Sequence, residues 1–317
     1  MIHFLFTGGT ISMRRDAAAG GNVPVHGGDA LVALVPELDR VGPYVVEDWA
    51  KLPACHLGPD RLWALRERVR AVAASGTASG IVVTHGTDLL EETAYLLDRT
   101  LDFPTVPVIV TGAMQTSSDP GWDGPRNLLD AATVAASPES AGRGTLVVFH
   151  GAIFAGRTAT KTHTTDLAAF SAPHAGPLGC VQQDRVVYPP GHRYRRGGTL
   201  APPGLTARVA LVPVVPGDDG TMFDLARPGH DGVVIAAFGS GNVPPGAVPA
   251  IRRWLDDGKP VVLASRCPLG EVAPLYAFEG GGAGLAQMGV TLAGPRTPWQ
   301  ARSELMIALS AGVPYGT

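Results

Sequence analysis

The sequence predicts an α/β protein with a larger N-terminal domain, built on a mostly parallel sheet, and a smaller C-terminal α/β domain. Two observations support this fold class. Short apolar runs of strand length alternate with helical patterns along most of the 317 residues, which is typical of βαβ units. A stretch rich in Pro and Gly, residues 189–207, interrupts the alternation and predicts a linker between domains 1–188 and 208–317.

The first predicted strand is the apolar run that precedes Thr7-Gly8-Gly9-Thr10-Ile11. A continuous apolar run is typical of a buried parallel strand, and the two glycines let the backbone turn sharply where a side chain would clash. Since ligands of open α/β sheets bind at the carboxyl ends of strands, Thr10 is a candidate functional residue. The alternative is a simple turn in which the threonine caps the next element of the chain.

The next segments continue the alternation. Residues 12–28 are poor in apolar residues and rich in small ones, so they predict a mobile loop beside Thr10. Asp29 can cap a short helix, Tyr44–Val46 is a predicted strand, and Pro59 and Asp60 begin an amphipathic helix.

A second apolar strand is also followed by a glycine-containing turn, Thr84-His85-Gly86-Thr87-Asp88. This turn leads into a predicted helix that carries Leu90 and Leu97. Asp88 and Glu91 have the spacing of a capping box, so a structural role explains the aspartate by itself. His85 by itself is more typical of a residue packed inside a turn.

Further units complete the predicted N-terminal domain: a strand Val106–Val110, a helix around Asn127–Val134 and a strand Thr145–Phe149. The polar residues between Gly112 and Gly124 place Ala113 on a loop at the strand-end rim. In the predicted C-terminal domain the strands lie near 209–215, 233–238 and 261–265, and the helices at 248–256 and 300–309. Within the linker, Arg193, Arg195 and Arg196 are interpreted as solvated surface.

Composition excludes several classes of function. The formal net charge is −3, without the basic clusters that nucleic acid or an anionic membrane would require. Three well-separated cysteines, Cys55, Cys180 and Cys267, indicate neither a disulfide framework nor a metal site. No signal-like or membrane-spanning apolar segment is found, so a cytoplasmic enzyme is expected.

Three motifs in order, Thr7–Ile11, Thr84–Thr93 and Ala159–Asp166, resemble the motifs of the bacterial-type L-asparaginases, and the resemblance extends over nearly the whole chain. It implies that Thr10 is the nucleophile that forms an acyl-enzyme. It also implies that Thr87, Asp88 and Lys161 form a threonine–acid–lysine set that activates the attacking group. A threonine hydroxyl needs such an adjacent base at neutral pH. Taken alone, Lys161 is more typical of a surface lysine.

The resemblance also implies a substrate site. Its members are Gly9 and Gly86, whose turns can direct N–H groups at an oxyanion, together with Ala113 and Asn242. No metal or organic cofactor is implied. In the family the position of Asn242 reaches the active site of a neighbouring subunit, so a homo-oligomer is expected, either a tetramer as a dimer of dimers or a dimer. By itself, Asn242 is more typical of a turn residue.

Two departures from the family pattern concern the substrate. Asn22 stands where the family carries a tyrosine on the loop after the first motif. The serine and polar residue that hold the substrate's α-carboxylate and α-amino group are replaced by Ala54 and Cys55, or by Cys55 and His56, because the alignment is uncertain by one residue.

The leading hypothesis is therefore an L-asparaginase that hydrolyses L-asparagine to L-aspartate and ammonia. One alternative is an amidohydrolase of the same fold that acts on glutamine, an N-substituted asparagine or a lactam. Another is a catalytically weak amino-acid-binding relative. A tRNA-linked amidotransferase subunit is less favoured, because no additional domain precedes residue 1 in this sequence.

Overall fold

The computed structural model describes residues 1–103, 105–190 and 197–317, and it divides into two compact units, Met1–Thr199 and Leu200–Thr317. Each unit contains a sheet with helices packed against it, which confirms the predicted two-domain α/β class. Within the predicted linker, the segment with Arg193, Arg195 and Arg196 lies outside the described residues. The linker bounds therefore stay a prediction.

The N-terminal unit contains strands and helices that alternate in its first three quarters. Its helices are α1 (Gly28–Ala33), α2 (Leu38–Val41), α3 (Pro59–Ala74), α4 (Leu90–Thr100) and α5 (Gly124–Ala136). Its strands are β1 (Ile2–Gly8), β2 (Met13–Asp16), β3 (Gly21–Pro24), β4 (Tyr44–Leu52), β5 (Gly80–Thr84), β6 (Val108–Thr111), β7 (Thr145–Phe149), β8 (Ala152–Ala155), β9 (Thr160–Lys161), β10 (Phe170–Ser171), β11 (Gly179–Gln182) and β12 (Arg185–Val187).

The main sheet of this unit has the strand order β12-β11-β8-β7-β6-β5-β1-β4. The strands from β4 to β7 pair in parallel, whereas β8, β11 and β12 pair antiparallel at the other edge. This antiparallel edge was not predicted, because its short strands lack a sustained apolar pattern.

Strand β1 lies in the middle of the core and faces it on both sides. Phe4 and Phe6 point to one face, where Leu128 of α5 is packed, and Leu5 points to the other face, where Leu65 of α3 is packed. Because side chains alternate along a strand, both faces of β1 must be apolar, and the sequence accordingly shows a continuous apolar run. Burial on both sides fixes the position of the turn that comes after β1.

Several predicted boundaries differ from the structure. Asp29 is not a helix cap, because α1 begins at Gly28 and Gly27 is its N-cap, without a side-chain cap bond. The segment 12–28, predicted as a loop, contains the antiparallel hairpin of β2 and β3. Asp88 and Glu91 do not form a capping box either, since Leu89 is the N-cap of α4 and no side chain caps this helix.

The C-terminal unit has a parallel sheet in the order β13-β14-β15-β16. Its elements are β13 (Val209–Pro213), α6 (Thr221–Ala226), β14 (Gly232–Ala237), α7 (Val248–Asp256), β15 (Val261–Ser265), α8 (Gly282–Met288), β16 (Thr291–Leu292) and α9 (Pro298–Ser310). Trp254 of α7 is fully buried in its core, and its indole N–H donates to the Phe223 carbonyl at 3.0 Å. Across the described parts of both units, no helix is long and apolar enough to cross a membrane.

Candidate active site

The turn after β1 and the turn after β5 are in direct backbone contact. Gly9 has a φ of 82°, and a Cβ on Gly9 would lie 2.4 Å from the Cα of Gly86 and 2.5 Å from its nitrogen. No side chain can occupy that space, so only glycine permits the approach. The next residue of each turn, Thr10 and Thr87, is thereby brought to the same end of two adjacent parallel strands.

Thr10 begins a single 3₁₀ turn, Thr10–Ser12, and is half-buried. In the part of the chain that the structure describes, its hydroxyl makes no hydrogen bond with another side chain. A hydroxyl that is held by its backbone but not engaged elsewhere is available to a substrate. The structure thus places the predicted nucleophile at the rim of the sheet, and its role stays a prediction.

Thr87, Asp88 and Lys161 come together although they are distant in sequence. The Lys161 Nζ lies 2.8 Å from the Thr87 Oγ1 and 3.3 Å from the Asp88 Oδ1. Thr87 is buried, the Lys161 side chain is 19% exposed and that of Asp88 is 69% exposed. Because the carboxylate is so exposed, the ion pair itself contributes little to stability. The arrangement thus offers a hydrogen-bonded path for a proton between the buried Thr87 hydroxyl and the Lys161 amine.

His85 is packed inside the second turn, in agreement with its alternative interpretation from the sequence. Its Nδ1 lies 2.8 Å from the carbonyl oxygen of Gly86, which can only accept, so Nδ1 carries the proton. Its Nε2 therefore accepts from the Thr93 hydroxyl at 3.0 Å. Burial lowers the pKa of His85 to about 4, so the ring is neutral at physiological pH and acts as a structural part of the turn.

Glu91 is a site residue that the sequence reasoning assigned only to helix capping. Its carboxylate accepts a hydrogen bond from the backbone N–H of Lys161 at 2.7 Å and another from the Thr160 side chain. Glu91 is 8% exposed, and its burial raises the pKa of its carboxyl to about 7. The one signal in the sequence that indicates this role of Glu91 is a glutamate at the start of a helix face that is otherwise apolar.

The loop after β6 supports the second turn from the side of α5. A Cβ on Gly112 would lie 2.4 Å from the His85 carbonyl oxygen, and the next residue, Ala113, is fully buried. The Asn127 side chain donates to the Gly112 carbonyl at 3.0 Å, and the Asp123 carboxylate accepts from the N–H of Met114. Ala113 is therefore held rigidly beside the turn that carries Thr87.

Ala54, Cys55 and His56 form a 3₁₀ turn after β4. Ala54 is buried, and a Cβ on Gly86 would lie 2.7 Å from the Cβ of Ala54, so this residue contacts the second turn. Cys55 and His56 are exposed. The structure thus brings Ala54 to the second turn, where its methyl group can make no hydrogen bond, and its part in the substrate site stays a prediction.

The hairpin of β2 and β3 is attached to residues Ser117 and Ser118. The Ser117 N–H donates to the Met13 carbonyl at 3.1 Å, and the Arg15 N–H donates to the Ser118 Oγ at 3.0 Å. Asn22, which stands where the family has a tyrosine, lies on β3 opposite Arg15 and is exposed.

Asn242 belongs to the C-terminal unit and closes a turn after β14. Its backbone pairs with Phe238, and its Oδ1 accepts from the N–H of Gly282 at 3.3 Å. Its predicted part in the site of another subunit stays a prediction. Among the described residues, no group of three His, Cys, Asp or Glu side chains is arranged to hold a metal ion.

Comparisons with known proteins identify the family. The model "Asparaginase, N-terminal" matches residues 1–192, and "Glutaminase/Asparaginase C-terminal domain" matches residues 208–315. A protein of Deinococcus radiodurans named as a probable L-asparaginase is 38% identical over 97% of this chain and 92% of its own length.

A solved structure and a differently named relative extend the comparison. The probable cytoplasmic L-asparaginase of Campylobacter jejuni superposes with a TM-score of 0.86 at 28% identity, covering 98% of this chain and 94% of its own. A glutamyl-tRNA(Gln) amidotransferase subunit of Methanosarcina mazei is 29% identical over 86% of this chain and 65% of its own length. The chain belongs to the asparaginase family and is an amidohydrolase.

Proposed function

We propose that this enzyme hydrolyses L-asparagine to L-aspartate and ammonia, with Thr10 as the nucleophile. The observation that carries the proposal is the 2.8 Å contact between the Lys161 Nζ and the Thr87 Oγ1, beside the turn that carries Thr10. A lysine–hydroxyl pair at a strand-end rim is suited to proton transfer, and a free threonine hydroxyl is suited to attack.

The reaction proceeds in two steps. The Thr10 oxygen forms a bond to the side-chain amide carbon of the substrate, the carbon–nitrogen bond breaks, and ammonia leaves with the proton of the hydroxyl. Water then attacks the resulting ester, which releases the carboxylic acid and restores the Thr10 hydroxyl. Lys161, in its neutral form and through Thr87, is the base that takes the proton of the attacking hydroxyl or water in each step. It then returns this proton to the leaving nitrogen in the first step and to the Thr10 oxygen in the second.

The negative charge that develops on the amide oxygen needs hydrogen-bond donors. The N–H of Gly9 donates to the Leu52 carbonyl at 3.2 Å, so we assign this role to other backbone N–H groups of the closely packed Gly9 and Gly86 turns. Removal of one such donor in other acyl transferases costs about 3 kcal/mol of transition-state stabilisation. Asp88, which is the exposed member of the set, is available to the substrate's ammonium group.

A panel of variants tests the proposal through ammonia release. Thr10→Ala and Lys161→Met are each expected to lower kcat by several orders of magnitude with the fold intact by circular dichroism. The matched controls are Thr133→Ala, whose hydroxyl only bonds within α5, and Lys51→Met, whose side chain is exposed. If Thr10→Ala retained a large fraction of kcat, its role as the nucleophile would be excluded.

A second candidate is hydrolysis of another amide, such as glutamine, an N-substituted asparagine or a lactam. Ala54 favours it, because a methyl group buried against Gly86 cannot bind the substrate's α-carboxylate by a hydrogen bond. A substrate panel distinguishes it from the first proposal. A catalytically weak binding relative would release no ammonia from any of these amides.

We also infer that the enzyme is a cytoplasmic homo-oligomer, either a dimer or a tetramer built from dimers, in which Asn242 reaches the site of another subunit. An exposed apolar surface in the C-terminal unit supports this. Leu275 and Phe278 are 67% and 56% exposed, and the ring of Phe278 packs only 5.5 Å from that of Tyr276. Adjoining exposed apolar side chains are typical of an interface between protein chains. The name of the Campylobacter jejuni neighbour supports the compartment.

A further inference from the structure

Glu91 is a buried carboxylate that the proposed reaction does not use. It lies in the first turn of α4, three residues after Asp88, and does not cap its own helix. Its acceptor oxygens are directed instead at β9, the two-residue strand Thr160–Lys161. Burial of a carboxylate costs free energy, and hydrogen bonds to its partners offset that cost. The partners of Glu91 therefore indicate its role.

The two partners of Glu91 belong to the segment that carries the lysine of the site. The backbone N–H of Lys161 donates to the Glu91 Oε2 at 2.7 Å, and the Thr160 side chain forms a second hydrogen bond with the same carboxylate. The side chain of that same Lys161 reaches the Thr87 Oγ1 at 2.8 Å. The backbone of Lys161 is thus anchored to α4 while its amine reaches the turn just before α4.

Strand β9 is also held by a neighbouring strand and by the residue before it. It pairs with β10, where Lys161 lies opposite Phe170 and Thr160 opposite Ser171, and Ala159 before it is fully buried. A two-residue strand fixes its position weakly by itself. The two charge-assisted hydrogen bonds that Glu91 accepts from Lys161 and Thr160 hold this strand against α4.

We propose that Glu91 is a positioning residue, which holds the backbone of Thr160–Lys161 so that the Lys161 amine stays within hydrogen-bonding distance of the Thr87 hydroxyl. The expected effect of Glu91 on the reaction rests on the proposed function. Its effect on the position of Lys161 does not. Glu91 itself contacts no reacting atom. Its effect on the reaction passes through Lys161.

The ionisation of Glu91 makes the positioning dependent on pH. The charged groups that interact with it are Lys161 on β9, which favours the carboxylate, and Glu92 on its own helix, which opposes it, while burial is the largest influence. The carboxylate accepts both hydrogen bonds strongly. The neutral acid is a weaker acceptor, and its own O–H group needs an acceptor in the same buried space. Because the pKa of Glu91 is about 7, kcat is expected to rise as the pH increases through 7.

The test compares Glu91→Ala, Glu91→Gln and the control Glu47→Gln in the full-length enzyme with L-asparagine. Glu47 is a partly buried carboxylate that bonds Arg68 and His3, so its variant reports a general loss of a structural carboxylate. Glu91→Ala is expected to lower kcat about 100-fold with KM little changed, since a displacement of about 1 Å in a catalytic group has that effect. Glu91→Gln retains one acceptor and is expected to restore much of kcat but to lack the rise through pH 7.

A crystal structure of the Glu91→Ala variant gives a readout that does not depend on activity. The Lys161 Nζ is expected to lie beyond hydrogen-bonding distance of the Thr87 Oγ1 in that structure. In a separate hydrogen-exchange measurement, the amide hydrogen of Lys161 is expected to exchange faster than in the wild type. If the Nζ–Oγ1 contact stays at 2.8 Å, or if Glu91→Gln keeps the wild-type pH profile, Glu91 is not a positioning residue. If instead Lys161→Met retains turnover, the proposed mechanism fails and the structural result for Glu91 still stands.

Discussion

Gly9 is the residue on which the close contact of the two threonine turns depends. Its φ is 82° and a Cβ would meet the Gly86 backbone, so Gly9→Ala combines a strained backbone with overpacking. We expect it to lower the free energy of unfolding by about 3 kcal/mol or more and to abolish activity.

Gly76 provides the matched control for this prediction. Its φ is 71° and no atom lies within 4 Å of a Cβ built on it, so Gly76→Ala is expected to cost only about 1 kcal/mol, with activity unchanged. Chemical denaturation and ammonia release measure both variants. Equal losses of stability in the two would show that the contact with Gly86 can relax.

Ala54 is the residue expected to weaken discrimination at the substrate's α-amino and α-carboxylate end. A site with intact polar contacts prefers asparagine over succinamate, which lacks the amino group, by about 10⁴-fold in kcat/KM. We expect a smaller ratio for the wild type and an increase for Ala54→Ser, because the new hydroxyl can accept a hydrogen bond from the ammonium group that succinamate lacks.

Two variants control this measurement. Ala71→Ser adds the same hydroxyl on an exposed part of α3 and should leave the ratio unchanged, while Cys55→Ser tests the alternative alignment. A wild-type ratio above about 10⁴ would mean that another residue supplies the missing contacts.

His85 and Glu91 give the stability of the enzyme opposite dependences on pH. Burial lowers the pKa of His85 from 6.5 to about 4, so its contribution to the free energy of unfolding is complete above pH 6.5 and is lost as the pH falls through 4. Burial raises the pKa of Glu91 from 4.5 to about 7, so its contribution is complete below pH 4.5 and is lost as the pH rises through 7. Between pH 4.5 and 6.5 the two slopes oppose each other.

In the Glu91→Gln variant, the dependence of unfolding free energy on pH that His85 causes is expected to become visible. One pKa unit corresponds to about 1.4 kcal/mol, so the free energy of unfolding of the variant should gain about 3 kcal/mol relative to the wild type between pH 4.5 and 7. Denaturant titrations of both proteins at several pH values measure the difference, and other titrating groups cancel in the comparison. Parallel curves would exclude the raised pKa of Glu91.

At the scale of elements, the hairpin of β2 and β3 is attached to the loop before α5 by two serines. The Ser117 Oγ bonds the His26 ring at 2.8 Å and the Met13 carbonyl at 3.1 Å, and the Ser118 Oγ accepts from the Arg15 N–H at 3.0 Å. Because each such bond contributes about 1 kcal/mol, these side-chain bonds add to the pairing of the two short strands and to the backbone bond from Ser117 to Met13 in holding the hairpin closed.

The double variant Ser117→Ala, Ser118→Ala should therefore open the hairpin more often. We expect hydrogen exchange within residues 13–24 to accelerate about tenfold or more, as the loss of about 1–2 kcal/mol requires. Ser75→Ala, which removes a serine bond at the end of α3, should leave that segment unchanged. Unchanged exchange in the double variant would mean that the strands alone hold the hairpin closed.

At the scale of the whole molecule, the expected oligomer places exposed apolar side chains of the C-terminal unit at a subunit interface. Phe278→Glu introduces a charge that burial at such an interface would penalise, so it should shift the mass measured by light scattering towards the 32.8 kDa of one chain. Activity should fall in parallel, because Asn242 would leave the neighbouring site. A wild-type protein that is monomeric at micromolar concentration and fully active would contradict the prediction.

The sequence by itself determined the elements whose signal lies within a few adjacent residues. The strands Thr145–Phe149 and Val261–Ser265 and the helix Val248–Asp256 have the predicted bounds, because an apolar run between turn residues or a helical period is a local property. The motifs around Thr10, Thr87 and Lys161 were equally readable, since turn chemistry and residue type are written in order along the chain.

Only the tertiary structure decided what joins these pieces. Glu91 and Lys161 are 70 residues apart, and nothing in the local pattern of either predicts that one accepts the backbone N–H of the other. The packing of Ala54 against Gly86 and the antiparallel strands β8, β11 and β12 likewise depend on the path of the chain. Strands this short bury too little apolar surface to impose a period, so their partners, and not their own residues, make them strands.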